Sequence, residues 1–182
     1  MDSGILTLVT TQTASSSSTL SFTSISNAYE EYVFLVTNIH PSSDASDNAF
    51  RFQGSTDGGS SYGVTKTTTH WRAQHREDAA SADVAMGGAF DSEQATAHQW
   101  LAENVEADND GSICAIIHLF NPSETTHVTH VMARTVPMTP APSVQFAHVA
   151  GYFNTTSAIN AMQFSLASGN MDSGTILMFG VS

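Results

Sequence analysis

Phe50-Arg51-Phe52-Gln53-Gly54-Ser55-Thr56-Asp57-Gly58-Gly59-Ser60-Ser61-Tyr62 carries the clearest statement of fold class in the chain. In its first half Phe50, Phe52 and Gly54 face one way and alternate with polar residues, the period-two pattern of a strand with one covered face. In its second half Asp57-Gly58-Gly59 ends that strand, because glycine supplies the positive φ angles that a tight hairpin requires. Asp57, Gly58, Gly59 and Tyr62 also match the Asp-box pattern of sialidase-like propellers, in which the Asp caps a hairpin and the aromatic packs beneath it. A propeller would repeat the motif blade by blade, and this chain carries one copy, so these four residues read as a structural turn and not as a catalytic site.

On both sides of this segment the same rhythm recurs: short apolar runs rich in β-branched and aromatic residues, bounded by Gly, Pro, Asn, Asp or Ser. Strands are predicted near Ile5–Thr10, Leu20–Ile25, Glu31–Ile39, Ala49–Ser55, Val64–Gln74, Ile113–Asn121, Thr126–Val136, Val144–Asn154, Ala158–Ala167 and Gly174–Val181. In the last of these Ile176, Met178 and Gly180 oppose Leu177, Phe179 and Val181. Asn121-Pro122-Ser123, Ser168-Gly169-Asn170 and Asp172-Ser173-Gly174 supply further turns. The Ser15–Ser18 tract reads as a loop. Ser92–Val105 is the one helical candidate, with Ala95, His98, Leu101 and Val105 able to share a face, although flanking Gly87-Gly88 and Asp108-Asn109-Asp110-Gly111 suit a long surface loop as well.

Many antiparallel strands with almost no helix must close into a barrel or pair as two sheets. The expectation is an all-β, two-sheet antiparallel sandwich of jelly-roll type. It forms a single domain over residues 1–182, with a long loop or short helix inserted at 77–110 and an N-terminal strand segment, 1–25, available for assembly. A chain of 182 residues can bury roughly 70% of its unfolded surface and needs no disulfide or metal to fold.

Composition narrows the partners. Five basic against 17 acidic residues give a net charge of −12, which disfavours nucleic acid and anionic membranes, both of which demand clustered Lys and Arg. Only 12% of residues are charged, so the surface is hydroxyl-rich and suited to sheet edges that another subunit can pair with. Met1-Asp2-Ser3-Gly4 has an acid where a signal peptide would carry Lys or Arg, and no apolar run approaches the roughly 18 residues of a membrane helix. The lone Cys114, inside Ile113-Cys114-Ala115-Ile116-Ile117, reads as a buried small hydrophobe.

No constellation specifies catalysis. His127 and His130, like His70 and His75, fall at spacings that put them on opposite faces of a strand, with no zinc-like partner beside them. No Gly-x-Ser-x-Gly turn positions a nucleophile, and the acids sit mainly in loops. Glu106, Asp108, Asp110 and Gly111 follow the first half of an EF-hand loop, but its twelfth position is Ile117, which leaves at most a looser calcium site. Trp71, Trp100, Tyr62 and Tyr152 could stack on sugars if exposed, although core or subunit interface is the commoner use of such side chains. No catalytic, cofactor-binding or metal residue is therefore assigned.

Tyr32-Val33-Phe34-Leu35-Val36-Thr37-Asn38-Ile39-His40-Pro41, the Phe50–Tyr62 stretch, Ile117-His118-Leu119-Phe120-Asn121-Pro122, Ile159–Asn170 and Ser173–Val181 together resemble small β-sandwich virion proteins of tailed bacteriophages in order and spacing. The resemblance implies a capsid decoration or a tail or fibre accessory protein. Such a protein is made in the host cytoplasm, resides in the virion, and contacts itself and other virion proteins without cofactor or catalysis. The alternative is a receptor-binding module that recognises host surface glycans. Residues Glu77 to Glu106 match no part of that family.

Overall fold

The computed structural model describes residues 5–23, 25–44, 48–140 and 143–182, and contains no helix among them. Residues 1–4 and Ser24, parts of the N-terminal segment expected to mediate assembly, lie outside the described residues. Thirteen strands follow one another along the described chain. They are β1 (Leu6–Thr13), β2 (Thr19–Phe22), β3 (Glu31–Pro41), β4 (Phe50–Ser55), β5 (Lys66–Arg76), β6 (Ala82–Met86) and β7 (Ser92–Ala95), then β8 (Gln99–Ala102), β9 (Ile113–Phe120), β10 (His130–Thr139), β11 (Ser143–Phe153), β12 (Ala161–Leu166) and β13 (Met171–Val181). They form two antiparallel sheets, a β-sandwich. The large sheet has nine strands in the order β1-β13-β3-β9-β10-β11-β5-β6, with β7 also beside β5, and the small one has four in the order β2-β12-β4-β8.

The structure corrects the expected helix. Ser92–Val105 holds the strands β7 and β8, one in each sheet. Buried Gln99 fixes them together, since its side-chain oxygen accepts from the hydroxyls of Thr68 and Ser92 while its amide donates to the carbonyls of Phe90 (2.8 Å) and Trp100 (2.9 Å). The insertion 77–110 is accordingly not one long loop, because it also contains β6. Nor is the Asp57 turn the tip of a hairpin. β4 pairs with β12 and β8 while β5 pairs with β11, β6 and β7, so the turn carries the chain from the small sheet to the large one.

The core forms where the two inner faces meet. Phe164 of β12 sits at its centre, edge-on to Phe34 (5.3 Å) and Phe22 (6.0 Å) and stacked on Phe50 (5.9 Å). Buried aromatics of this kind stabilise by area and by ring geometry together. Phe153 closes one end against Phe52, and a Cβ on Gly54 would lie 2.7 Å from the Phe153 ring, so that glycine marks a seat for an aromatic. Gly180, Ile176 and Met178 are buried on the inner face of β13, and Leu177, Phe179 and Val181 are half-buried on the outer face. A bulge bends β3 and β13 where Asn38 (φ 51°) meets Gly174 (φ 107°); a Cβ there would be 2.4 Å from the Asn38 carbonyl oxygen.

Candidate functional site

The Asp57 turn is built from its own hydroxyls. Ser55 Oγ donates to Asp57 Oδ1 (2.6 Å), the Ser61 amide donates to the same oxygen (2.9 Å), and Ser61 Oγ donates to Oδ2 (2.6 Å). These donors hold the Asp57 carboxyl down at about 2. Asn160, just before β12, accepts from the Gly58 amide and donates to the Thr56 carbonyl, tying the turn to the small sheet. Both carboxylate oxygens of Asp57 are thus spent on holding the turn, which makes the residue a brace and not a catalytic acid.

The outer face of the large sheet is a different surface. All eleven exposed large apolar side chains among the described residues lie on or beside strands of this sheet. Strand register puts Leu177, Leu35, Ile116, Arg134, His148, Trp71 and Met86 in one row running across seven strands. A second row places Leu8, Phe179, Val33, His118 and Met132 side by side. Leu35, Cys114, Ile116, Val136 and Phe146 surround a shallow apolar groove of about 330 Å3, with Arg134 at its edge. Val84 (75%) and Met86 (71%) are the most exposed of the set.

Charge on this face is sparse. His40, His75, His118, His130, His148 and Arg134 share it with Glu31, which pairs with His118, and Glu77 and Asp110 border it beside Cys114 and Val136. His148 stacks on Trp71 at 4.4 Å and meets Phe146 edge-on at 4.6 Å. Its pKa is lowered by burial and by the Arg134 guanidinium. At neutral pH the centre of the face is therefore an aromatic cluster with little charge.

Cys114 belongs to this face, which corrects the expectation that it is buried. It is exposed, with Sγ 3.5 Å from Asn38 Oδ1, because the core covers only the inner side of β9 and Ile113, Ala115 and Ile117 occupy the inward positions. Of the four aromatic candidates, Trp71 and Tyr152 lie on the outer face, Trp100 stacks on Phe90 at 4.7 Å, and Tyr62 packs under Gly59. His70 is buried and His75 exposed, on opposite faces of β5. Burial lowers the His70 pKa, an effect the nearby Asp91 opposes.

Glu106 and Asp108 do come together, but with Asp44 and not with Asp110; the three carboxylates lie within 4.8 Å of one another. Glu106 is buried and its pKa is raised by burial. Asp44 accepts from the Ala107 amide, and Glu106 from the Asp108 amide (3.3 Å), so these two carboxylates already brace the backbone at residues 107–108.

A polar cleft of about 550 Å3 opens on the inner face of the large sheet, lined by Arg72, Gln74 and Arg76 of β5, Thr139 of β10, Ser143 and Gln145 of β11, and the flanking Asp44, Ser81, Asn104 and Pro140. Arg72 is ion-paired with Glu103, and Arg76 with Asp78 (3.0 Å). No motif announces this cleft, because its residues come from separate segments and none carries a distinguishing spacing. No protein-family model matches the chain, and neither a curated protein nor a solved structure does.

Proposed function

We propose that this chain is a non-enzymatic structural subunit of a bacteriophage virion, a capsid decoration or tail accessory protein. In this reading it assembles with copies of itself and with neighbouring virion proteins through the outer face of its large sheet. The observation that carries the reading is the gathering of every exposed large apolar side chain among the described residues on or beside the strands of one sheet. Single exposed hydrophobics are normal on a monomer, whereas a contiguous apolar face marks a surface that another protein covers.

The topology supports it. Setting β5–β7 and β10–β11 aside, the remaining strands run β1-β13-β3-β9 in one sheet and β2-β12-β4-β8 in the other, and each of the pairs β1/β2, β3/β4, β8/β9 and β12/β13 crosses between sheets. That wiring favours reading the sandwich as a jelly roll, an architecture common in viral capsid proteins, to which β10–β11 and β5–β7 add width. The added strands enlarge the outer face and leave the core wiring unchanged. The open edge of β1, with exposed Leu6 and Leu8, offers a further point of β pairing.

The experiment is light scattering and native mass spectrometry on the pure chain, followed by cosedimentation with phage particles that lack it. Self-association or particle binding is expected, together with its loss in the double variant Val136→Lys, Phe146→Lys while the circular dichroism spectrum is retained. A chain that stays monomeric at every concentration and ignores such particles overturns the proposal.

A further inference from the structure

The polar cleft holds buried hydrogen-bonding atoms that the protein itself does not use. Gln145 is 2% exposed, yet its Oε1 has no partner, and neither has Arg72 Nε. On the inner face the two are neighbours: Arg72 pairs in register with Ala147, two residues beyond Gln145 on β11. Thr135, opposite Ala147 on β10, adds an unpartnered hydroxyl beside them. Nearly all buried polar groups in folded proteins are satisfied, so an unused acceptor and an unused donor on two residues that line one cleft call for an occupant.

The chemistry of that occupant follows from what remains available. Arg72 spends its charge on Glu103 and Arg76 on Asp78, while Asp44 adds a negative charge to the lining, so nothing in the cleft compensates an anion. A carboxylate or phosphate dianion also has no proton to give to Gln145 Oε1, and an ammonium cannot accept from Arg72 Nε. A hydroxyl does both, donating to the one and accepting from the other. Gln74, Asn104 and Ser81 surround this pair with further amide and hydroxyl groups, and the cleft volume lies within the range of small-molecule sites. We propose that the cleft binds a neutral saccharide unit, with Gln145 and Arg72 recognising adjacent hydroxyls. The inference is independent of the virion reading, since the cleft lies on the face of the sheet opposite the assembly surface.

Saturation-transfer NMR and calorimetry on the full chain, with glucose, galactose, mannose and N-acetylglucosamine as probes and glucuronate and inorganic phosphate as anionic controls, test it. At least one neutral sugar is expected to bind, and neither anion. Gln145→Leu, close in shape and lacking the acceptor, is expected to weaken that sugar at least tenfold. Gln74→Ala, at the half-buried rim, is expected to weaken it several-fold, and supplies the answer should Gln145→Leu fail to fold. Binding by none of the four sugars would mean that the cleft holds water only, tighter binding of either anion that it recognises charge, and sugar affinity unchanged in the folded variants that the sugar binds elsewhere; each would overturn the proposal.

Discussion

At Gly58 the backbone lies at φ 74° with open space where a Cβ would stand, whereas at Gly59 (φ 87°) a Cβ would meet the Tyr62 hydroxyl at 2.7 Å and Thr23 Cγ2 at 2.9 Å. Alanine at either site incurs the left-handed backbone cost of about 1 kcal/mol, but only at Gly59 must Tyr62 also move. Gly58→Ala is therefore expected to lower stability by about 1 kcal/mol and Gly59→Ala by roughly 2 kcal/mol or more, measured by thermal or denaturant unfolding. Equal losses would show that Tyr62 does not brace the turn. Lys66 poses the opposite problem: it is fully buried, its Nζ donates to the Ala97 carbonyl, and burial lowers its pKa to about 8. Between pH 8 and the ordinary lysine value of 10.5, the unfolded chain keeps a proton that the folded chain has released, so stability rises with pH across that window. Below pH 8 both states are protonated and the full penalty, on the order of 3 kcal/mol, is present. Lys66→Met removes it, and the Ala97 carbonyl keeps its bond from Gln53 (3.2 Å). The variant is expected to melt higher than the parent at pH 7 and to lose the rise between pH 8 and 10.5; a lower melting temperature at pH 7 would contradict this account.

Among the elements, β9 shows how much a strand's sequence conceals. Ile113-Cys114-Ala115-Ile116-Ile117 is apolar at every position, so hydrophobicity alone could not tell a strand buried on both faces from one buried on a single face. The core lies against its inner side, and Cys114 and Ile116 are left outside. Cys114 is thus a reporter for the assembly face: a maleimide is expected to label it stoichiometrically in the dispersed chain and slowly in the assembled state. Equal labelling rates in the two states would place the interface elsewhere. The strands β6, β7 and β8 are illegible for a different reason. At five, four and four residues they are too short to display a period, and the apolar spacing of Ala95, Leu101 and Val105 that suggests a helix arises from two strands joined by a turn.

For the whole molecule, assembly through a sheet face on which apolar side chains outnumber charged ones should depend little on ion pairs. Moderate salt is expected to leave the assembled fraction nearly unchanged in sedimentation velocity. EDTA is expected to do the same, because β edges and apolar contacts are indifferent to chelators. A sharp loss of assembly in either condition would assign the contacts to charges or to a bound cation, with Asp44, Glu106 and Asp108 the first residues to substitute.

Local chain properties were enough to establish the all-β class and the approximate positions of the strands outside residues 77–110, because period-two alternation and glycine-rich turns act within a few residues of one another; the two-sheet sandwich was the expected closure, and the pairings of distant strands decided it. They also marked Asp57, Gly58, Gly59 and Tyr62 as a unit, since that geometry closes over the same short span. The three-dimensional arrangement alone revealed which strands share a sheet, that the Asp57 turn links the two sheets, that Cys114 faces outward, and that Arg72 and Gln145 line one cleft. These depend on pairings between residues far apart in the chain, such as β1 with β13 and β5 with β11. The free energy that selects those pairings is the burial of one common core, a property of all the strands together and of no single stretch.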